Sequence, residues 1–130
     1  ELLFLLADYY QSGSSKHGDM TLGISKTIAY MDANYQRQIS LEHLTRMSGM
    51  SQRTFIRHFK AATGGTPIDY LLGVRLSQAS LLLNSTMTLG EIAMKTGFYD
   101  GNYFSRQFKK ATGLSPRAYR RHMNDDTLES

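Results

Sequence analysis

The feature that most constrains the fold of this chain is an internal repeat. Residues 55–70 (FIRHFKAATGGTPIDY) and 104–119 (FSRQFKKATGLSPRAY) are identical at nine of sixteen positions, at a separation of 49 residues. Upstream the separation is 48, which pairs Leu41 with Leu89 and Gly49 with Gly97. The repeat therefore predicts two similar structural units, the second with one extra residue after its glycine.

Each copy has the pattern of a short helix, a turn and a longer helix. Ser40 can cap the first short helix, and Thr88 with Glu91 forms a capping box for the second. Ser51 can cap the longer helix of the first copy. Apolar residues at i, i+4 and i+7 give the longer helices one core face, namely Phe55, Phe59 and Ala62, and then Phe104, Phe108 and Ala111. Two helices joined by a glycine-containing turn are typical of a helix-turn-helix unit.

Three further helices complete the pattern. Ser25 can cap a helix whose Ile28, Met31 and Tyr35 face inward. The very apolar segment 67–83 predicts a mostly buried linker helix of about 25 Å, and 116–123 predicts a last helix. No stretch shows sustained strand alternation. We therefore predict an all-α fold of about seven helices, with two helix-turn-helix subdomains joined by a long linker helix.

Charge is distributed unevenly along the chain. Residues 26–123 carry a net charge of +9, whereas residues 1–25 carry −2 and residues 124–130 carry −3. A basic body with acidic ends favours a polyanionic partner such as nucleic acid. The alternative is a solvated basic surface that keeps the protein in solution.

Several classes of function lack the residues that they need. The chain has no cysteine, and its four histidines are scattered without metal-ligand spacing. No nucleophile and base recur together and the carboxylates are dispersed, so we predict no catalytic residue, no metal and no cofactor, and not an enzyme. The longest apolar run, residues 2–7, is far below the ~20 residues of a membrane span.

Residues 97–120 (GFYDGNYFSRQFKKATGLSPRAYR) resemble the signature of the AraC/XylS transcription regulators. The resemblance covers about residues 26–123, and a sugar-operon regulator of the arabinose or rhamnose kind is the subgroup we expect. It implies a bacterial, cytoplasmic regulator that binds double-stranded promoter DNA. It also implies contact of activators with RNA polymerase, and a small-molecule effector that acts only through a missing N-terminal domain. Thr45 departs from the family, which usually has alanine there.

The resemblance also divides the chain. Residues 1–20 are expected to be the remnant of an upstream sensor or dimerisation domain with its linker. The first helix-turn-helix subdomain covers 21–66, the linker helix 67–84 and the second subdomain 85–123. Residues 124–130 form a polar acidic tail.

The second helix of each unit supplies the candidate DNA contacts, because that helix enters the major groove in this motif. The residues expected to read bases are Gln52, Arg53, Ile56, Arg57, Asn102, Ser105 and Arg106. Three alternatives stay open: Ile56 as a packing residue, the arginines as solvated charge, and Asn102 as a helix cap. The residues expected to contact phosphates are Ser51, Lys60, Lys109, Lys110, Arg117 and Arg120. Arg75 and Arg121 belong with these as weaker candidates. The rival function is a helical protein-interaction module without sequence-specific DNA binding.

Overall fold

The computed structural model describes residues 15–129, with side chains from residue 18 to residue 125. Within this range the chain is all-α, which confirms the predicted fold class. Its seven helices are α1 (Ser15–Asn34), α2 (Leu41–Ser48), α3 (Gln52–Thr63), α4 (Pro67–Leu82), α5 (Leu89–Lys95), α6 (Gly101–Thr112) and α7 (Pro116–Glu129). None of these helices is both long and apolar enough to cross a membrane.

The chain divides into two compact units, one up to Leu72 and one from Gly73 onwards. The division falls inside α4. The first unit therefore contains α1, α2, α3 and the beginning of α4, and the second contains the rest of α4 with α5, α6 and α7. Each unit thus holds one short helix and one longer helix of the predicted repeat.

The first unit is built around two phenylalanines of α3. Phe55 and Phe59 are fully buried, and their rings meet edge to face at 5.7 Å. Phe59 also meets the ring of Tyr70 at 5.8 Å, which brings α4 into the same core. The other buried members of this core are Ile24, Ile28, Met31, Leu44 and Leu71.

The second unit repeats this packing. Phe104 and Phe108 of α6 are fully buried and meet edge to face at 5.7 Å, and Phe108 meets Tyr119 of α7 at 5.2 Å. Ile92, Ala93 and Phe98 are buried with them, as are Ala79 and Leu83. The repeat in the sequence is therefore a repeat of the core: the same three rings pack in each unit, and Phe98 extends the row in the second.

The helix ends follow the predicted capping residues. The hydroxyls of Ser40, Ser51 and Thr88 accept the backbone N–H three residues later, and Thr88 with Glu91 forms the complete capping box. Gly49, Gly64, Gly97 and Gly113 all have positive φ, which glycine adopts without steric cost. Thr66 and Ser115 cap the two helices that begin with proline, since each hydroxyl accepts the backbone N–H three residues later.

The first helix begins earlier than the sequence suggested. Ser25 lies inside α1 and is not its N-cap, so that prediction was wrong. Thr21 and Ile24 extend the buried face of α1, and the helix passes α2 so closely at Gly23 that a Cβ there would overlap the carbonyl oxygen of Ser48. Packing against α2 therefore supports the additional turns of α1.

The linker helix is less buried than predicted. Ile68 is 44% exposed and Leu81 is 68% exposed, and the buried apolar side chains of α4 apart from Pro67 are Leu71 and Ala79. Apolar residues occur all around this helix, and only part of its circumference faces a core. Ala111 was likewise predicted on a core face and is exposed.

Three other expectations concern the chain ends and Thr45. The last helix was predicted to end at residue 123, but α7 continues to Glu129 because no glycine or proline interrupts the sequence after Pro116. Residues 1–14, most of the expected upstream remnant, lie outside the described part of the chain. The hydroxyl of Thr45 donates to the carbonyl of Leu41 at 2.8 Å, so it is satisfied within α2.

Candidate nucleic-acid interface

The outer face of α3 carries the base-reading candidates of the first unit. Successive helical residues are about 100° apart, so the residues Gln52, Arg53, Ile56, Arg57 and Lys60 fall within an arc of about 140°. Arg53, Arg57 and Lys60 point away from the buried Phe55 and Phe59, whereas Gln52 lies about 20° around the helix from the line of Phe59. Four members of the arc are exposed and Ile56 is partly buried. The helix therefore presents two guanidinium groups and an amide to the solvent within about one and a half turns.

The outer face of α6 has the same construction. The residues Asn102, Ser105, Arg106, Lys109 and Lys110 also fall within an arc of about 140°, away from Phe104 and Phe108. All are exposed except Ser105, which is partly buried. At the separation of 49 residues, Arg53 corresponds to Asn102 and Arg57 to Arg106. Both units thus carry an arginine at the same place on the corresponding helix.

The beginning of α6 decides one open alternative. Asp100 is the N-cap, and its carboxylate accepts the backbone N–H of Asn102 at 2.9 Å. Asn102 is therefore inside the helix and is not its cap. Its exposed amide has the donor and the acceptor that a bidentate contact to adenine needs.

The phosphate candidates fall into two groups. Lys60, Lys109, Lys110 and Arg117 are exposed, as is Ser51, whose hydroxyl caps α3. Arg120 is partly buried: its Nε donates to the carbonyl of Leu83 at 3.0 Å, and its Nη2 is buried without a hydrogen-bond partner. Arg120 therefore joins α7 to the end of α4 inside the second unit.

Two tyrosines at the start of α6 and in the turn before it were not among the candidates expected from the sequence. Tyr99 has φ of 61°, which is the left-handed region, and it is 44% exposed. Tyr103, in the first turn of α6, is 37% exposed. Burial lowers the pKa of the half-buried Arg75 guanidinium, and electrostatic interaction with Tyr99 and Tyr103 acts in the opposite direction. The extra residue of the second copy was the signal in the sequence that pointed to this turn.

Comparison with known proteins agrees with this architecture. A family model described as a helix-turn-helix domain matches residues 44–122. The MmsAB operon regulatory protein of Pseudomonas aeruginosa is 36% identical over 96 residues, which are 73% of this chain and 31% of that protein. The transcriptional activator RhaR of Klebsiella pneumoniae is 38% identical over 98 residues, 75% of this chain and 35% of that protein.

A solved structure gives the corresponding comparison in three dimensions. The DNA-binding domain of the global transcriptional factor AdpA, in complex with a target DNA, has a TM-score of 0.77 and 30% identity. That match covers 82% of this chain and 97% of the AdpA domain. A probable AraC family transcriptional regulator from Rhodopseudomonas palustris has a TM-score of 0.69 and 27% identity, over 77% of this chain and 95% of that chain. The chain belongs to the AraC/XylS family.

The AraC/XylS assignment applies to one region of a longer type of protein. The chain spans about a third of the length of the two curated relatives named above. The matched region, residues 44–122, contains the whole of α3, α5 and α6 and most of α2. The faces of α3 and α6 therefore lie in the part of the AraC/XylS regulators that this chain shares with its relatives.

Proposed function

We propose that this domain binds a specific double-stranded promoter DNA and regulates bacterial transcription, with α3 and α6 each in a major groove. The observation that carries the proposal is the repeated face: two corresponding helices, held by the same aromatic packing, expose an arginine at the same position. A solvated surface without a ligand would have no need of this repetition. The helix-turn-helix motif places its second helix in the major groove, where base edges are distinguishable.

Arg57 and Arg106 are the proposed readers of guanine, since a guanidinium can donate two hydrogen bonds to O6 and N7. Arg53 and Asn102 occupy the next position toward the helix N-terminus, where base contacts fall in this motif. Asn102 suits adenine. Ile56 is partly buried, and its exposed part can contact only an apolar group such as the thymine methyl. Gln52 and Ser105 complete the proposed base-reading set.

The lysines at the later turns of α3 and α6 have a different proposed role. Lys60, Lys109 and Lys110 are exposed on the same helices, together with Arg117 on α7. Their charged groups, at the ends of flexible side chains, suit contacts with phosphate oxygens. Such contacts position a protein on DNA without distinguishing base sequence. Ser51 and Arg120 stay in this proposed group, the second with its structural bond to Leu83.

The pairing of two units in one chain supports an asymmetric site. The exposed faces differ, with arginine, isoleucine and arginine on α3 against asparagine, serine and arginine on α6. One chain is therefore proposed to recognise two different half-sites in successive major grooves, about 34 Å or one helical turn apart. A palindrome would require two identical readers.

The wider role is also a proposal. Several relatives, including RhaR, are named transcriptional activators, which supports activation and contact with RNA polymerase, and the rhamnose type supports a sugar-responsive operon. The effector would act through a domain outside the described residues. The cytoplasm is the proposed location, because a regulator of bacterial transcription must reach the chromosome.

Selection of bound sites from a random duplex pool, followed by sequencing, tests the proposal. We expect one asymmetric consensus with two conserved blocks about one helical turn apart. The matched variants are Arg57→Ala and Lys26→Ala, which remove one positive charge each, the second from the exposed side of α1. Loss of preference at one base pair is expected for the first variant only. A pool without any enriched sequence would support the rival protein-interaction module.

A further inference from the structure

The turns of the two units differ in a way that the repeat does not require. Two residues, Met50 and Ser51, connect Gly49 to α3, whereas three residues connect Gly97 to α6. The longer turn contains Tyr99 at φ of 61°, the one residue other than glycine with positive φ in the described part of the chain. This conformation is unfavourable for a side chain with a Cβ. Backbone strain of this kind persists where the surroundings hold it and is frequent at functional sites.

The strained turn and the first turn of α6 each carry one partly exposed tyrosine. Tyr99 is 44% exposed and Tyr103 is 37% exposed. The ring of Tyr103 lies 6.0 Å from the ring of the buried Phe98, which itself lies 5.0 Å from Phe104. Tyr103 is therefore held by the core of the second unit while part of its side chain faces solvent.

Tyr103 lies at the edge of the proposed DNA-facing arc. It is about 60° around the helix from Arg106, but only about 20° from the line of Lys110, two turns later. Lys110 is a proposed phosphate contact. We therefore expect Tyr103, on the same line, to face the DNA strand that Lys110 contacts.

A partly buried cation belongs to the same unit. Arg75, on the part of α4 that belongs to the second unit, is half-buried and interacts electrostatically with both Tyr99 and Tyr103. At the separation of 48 residues, the first unit has Thr27, which is fully buried and donates to the carbonyl of Ile24 at 2.7 Å. The guanidinium, the strained turn and the two phenols are therefore all features of the second unit and are absent at the corresponding places of the first.

We propose that Arg75, Tyr99 and Tyr103 together bind one phosphate of the DNA strand beside the groove that α6 enters. The phenol hydroxyls of these partly exposed tyrosines donate hydrogen bonds to the phosphate oxygens, as tyrosines do at protein–DNA interfaces. Arg75 adds a positive charge to the pair, which strengthens the hydrogen bonds to an anion. This proposal rests on the proposed DNA-binding function and gives the second unit a backbone contact that the first unit does not have.

The experiment uses the selected duplex and removes hydroxyls alone. The double variant Tyr99→Phe with Tyr103→Phe keeps both rings and is expected to bind about tenfold more weakly than the parent protein. Tyr30→Phe is the matched control, since Tyr30 packs on the core of the first unit, and it is expected to leave the affinity unchanged. Equal affinities for the double variant and the parent protein would overturn the proposal.

Single neutral methylphosphonates, placed in turn along the strand beside the α6 groove, identify the phosphate. At one position the methylphosphonate is expected to weaken binding by the parent protein. At the same position it should lower the affinity of the double variant only slightly, because that variant has already lost the contact. An undiminished penalty in the double variant at every position would show that the phenols bind no phosphate. Failure of the parent protein to bind any duplex is a separate result, which would contradict the proposed function itself.

A third measurement separates binding from stability. Asparagine tolerates the left-handed conformation, so Tyr99→Asn removes the phenol and relieves the strain. We expect its unfolding midpoint to stay the same or to rise while its DNA affinity falls. Arg75→Lys keeps the charge, and its salt dependence of binding is expected to match that of the parent protein. A fall in stability together with affinity for Tyr99→Asn would assign the turn a structural role only and would overturn the proposal.

Discussion

The phenol oxygen of Tyr70 lies 3.0 Å from a carboxylate oxygen of Asp32, and this hydrogen bond ties the beginning of α4 to α1. The ring of Tyr70 also packs edge to face on Phe59, so one side chain joins α1, α3 and α4. Burial, followed by the hydrogen bond and the negative charge of Asp32, raises the pKa of Tyr70 to about 12. The corresponding Tyr119 of the second unit repeats the ring contact, with Phe108.

Removal of the Tyr70 hydroxyl is expected to destabilise the first unit. Tyr70→Phe keeps the ring contact with Phe59 and loses the hydrogen bond to Asp32. We expect a loss of about 1 kcal/mol in the free energy of unfolding, because hydrogen bonds of this kind contribute modestly when partly exposed. Urea unfolding followed by circular dichroism measures it. Tyr119→Phe is the control with the same chemical change, and a loss of the same size there would contradict the role of Asp32.

The same bond predicts a pH dependence at the alkaline end. The pKa of Tyr70 is raised from 10.0 to about 12 in the folded protein, so the protonated phenol is favoured by folding. Its contribution to stability is complete below pH 10 and is lost as the pH rises from about 10 to about 12. The parent protein should therefore lose more stability than Tyr70→Phe over this range. If the curves of stability against pH are parallel for the two proteins, ionisation of Tyr70 is not the cause of the loss of stability.

The elements that the sequence predicted well are those with a local or periodic cause. The caps at Ser40, Ser51 and Thr88 depend on residues within one helical turn, and they are present as predicted. The buried pairs Phe55 with Phe59 and Phe104 with Phe108 follow from helical spacing and from the repeat. Both kinds of signal are independent of distant parts of the chain.

The elements that the sequence did not predict depend on tertiary packing. The early turns of α1 are supported by the close approach of Gly23 to Ser48, which lies 25 residues away in the sequence. The repeat shows that the second turn has one extra residue, but it does not show that Tyr99 adopts the left-handed backbone conformation. Nothing local relates Arg75 to that turn, because the electrostatic interaction of Arg75 with Tyr99 joins residues 24 positions apart in the sequence. The base-reading and phosphate-binding roles stay predictions.

Two glycine substitutions on helices are expected to have opposite effects. Gly23→Ala places a Cβ against the carbonyl of Ser48, so we expect a loss of about 1–3 kcal/mol from overpacking between α1 and α2. In Gly73→Ala on α4 the new Cβ meets open space. Because alanine has a better helix propensity than glycine, the substitution should stabilise the folded protein by up to about 1 kcal/mol. Urea unfolding of both variants measures the difference. A stable Gly23→Ala protein would mean that α1 and α2 can move apart at little cost.

The capping box of α5 gives a further test of stability in the second unit. The hydroxyl of Thr88 accepts the N–H of Glu91 at 3.1 Å, and the Glu91 carboxylate accepts the N–H of Thr88 at 2.9 Å. Thr88→Ala removes the first bond and is expected to cost about 1 kcal/mol. The exposed neighbour Thr86 provides the control, as Thr86→Ala should be near neutral. An equal effect of both variants would show that the box does not stabilise α5.

The box also predicts a pH dependence at the acid end. Hydrogen bonds from the backbone and side chain of Thr88 lower the pKa of Glu91 below its ordinary value of 4.5. A carboxyl group whose pKa is lowered by folding stabilises the protein fully when the pH is above the pKa that it has in the unfolded chain. This stabilisation is lost as the pH falls through the lower pKa of the folded state. The difference in stability between the parent protein and Glu91→Gln should therefore shrink below about pH 4.5. A difference that is constant from pH 7 to pH 3 would contradict this.

The last prediction separates reading of bases from attraction to phosphates. Arg57→Ala and Arg106→Ala should each cost about 1–3 kcal/mol on the selected duplex and relax the preference at one base pair, in opposite halves of the site. Lys110→Ala removes the same charge from the same helix as Arg106, but it should weaken binding to selected and scrambled duplexes alike. Its plot of log affinity against log salt should also be shallower by about one. If both arginine variants lose equal affinity for the two duplexes, the arginines bind phosphates, and base reading must come from other residues of the α3 and α6 faces.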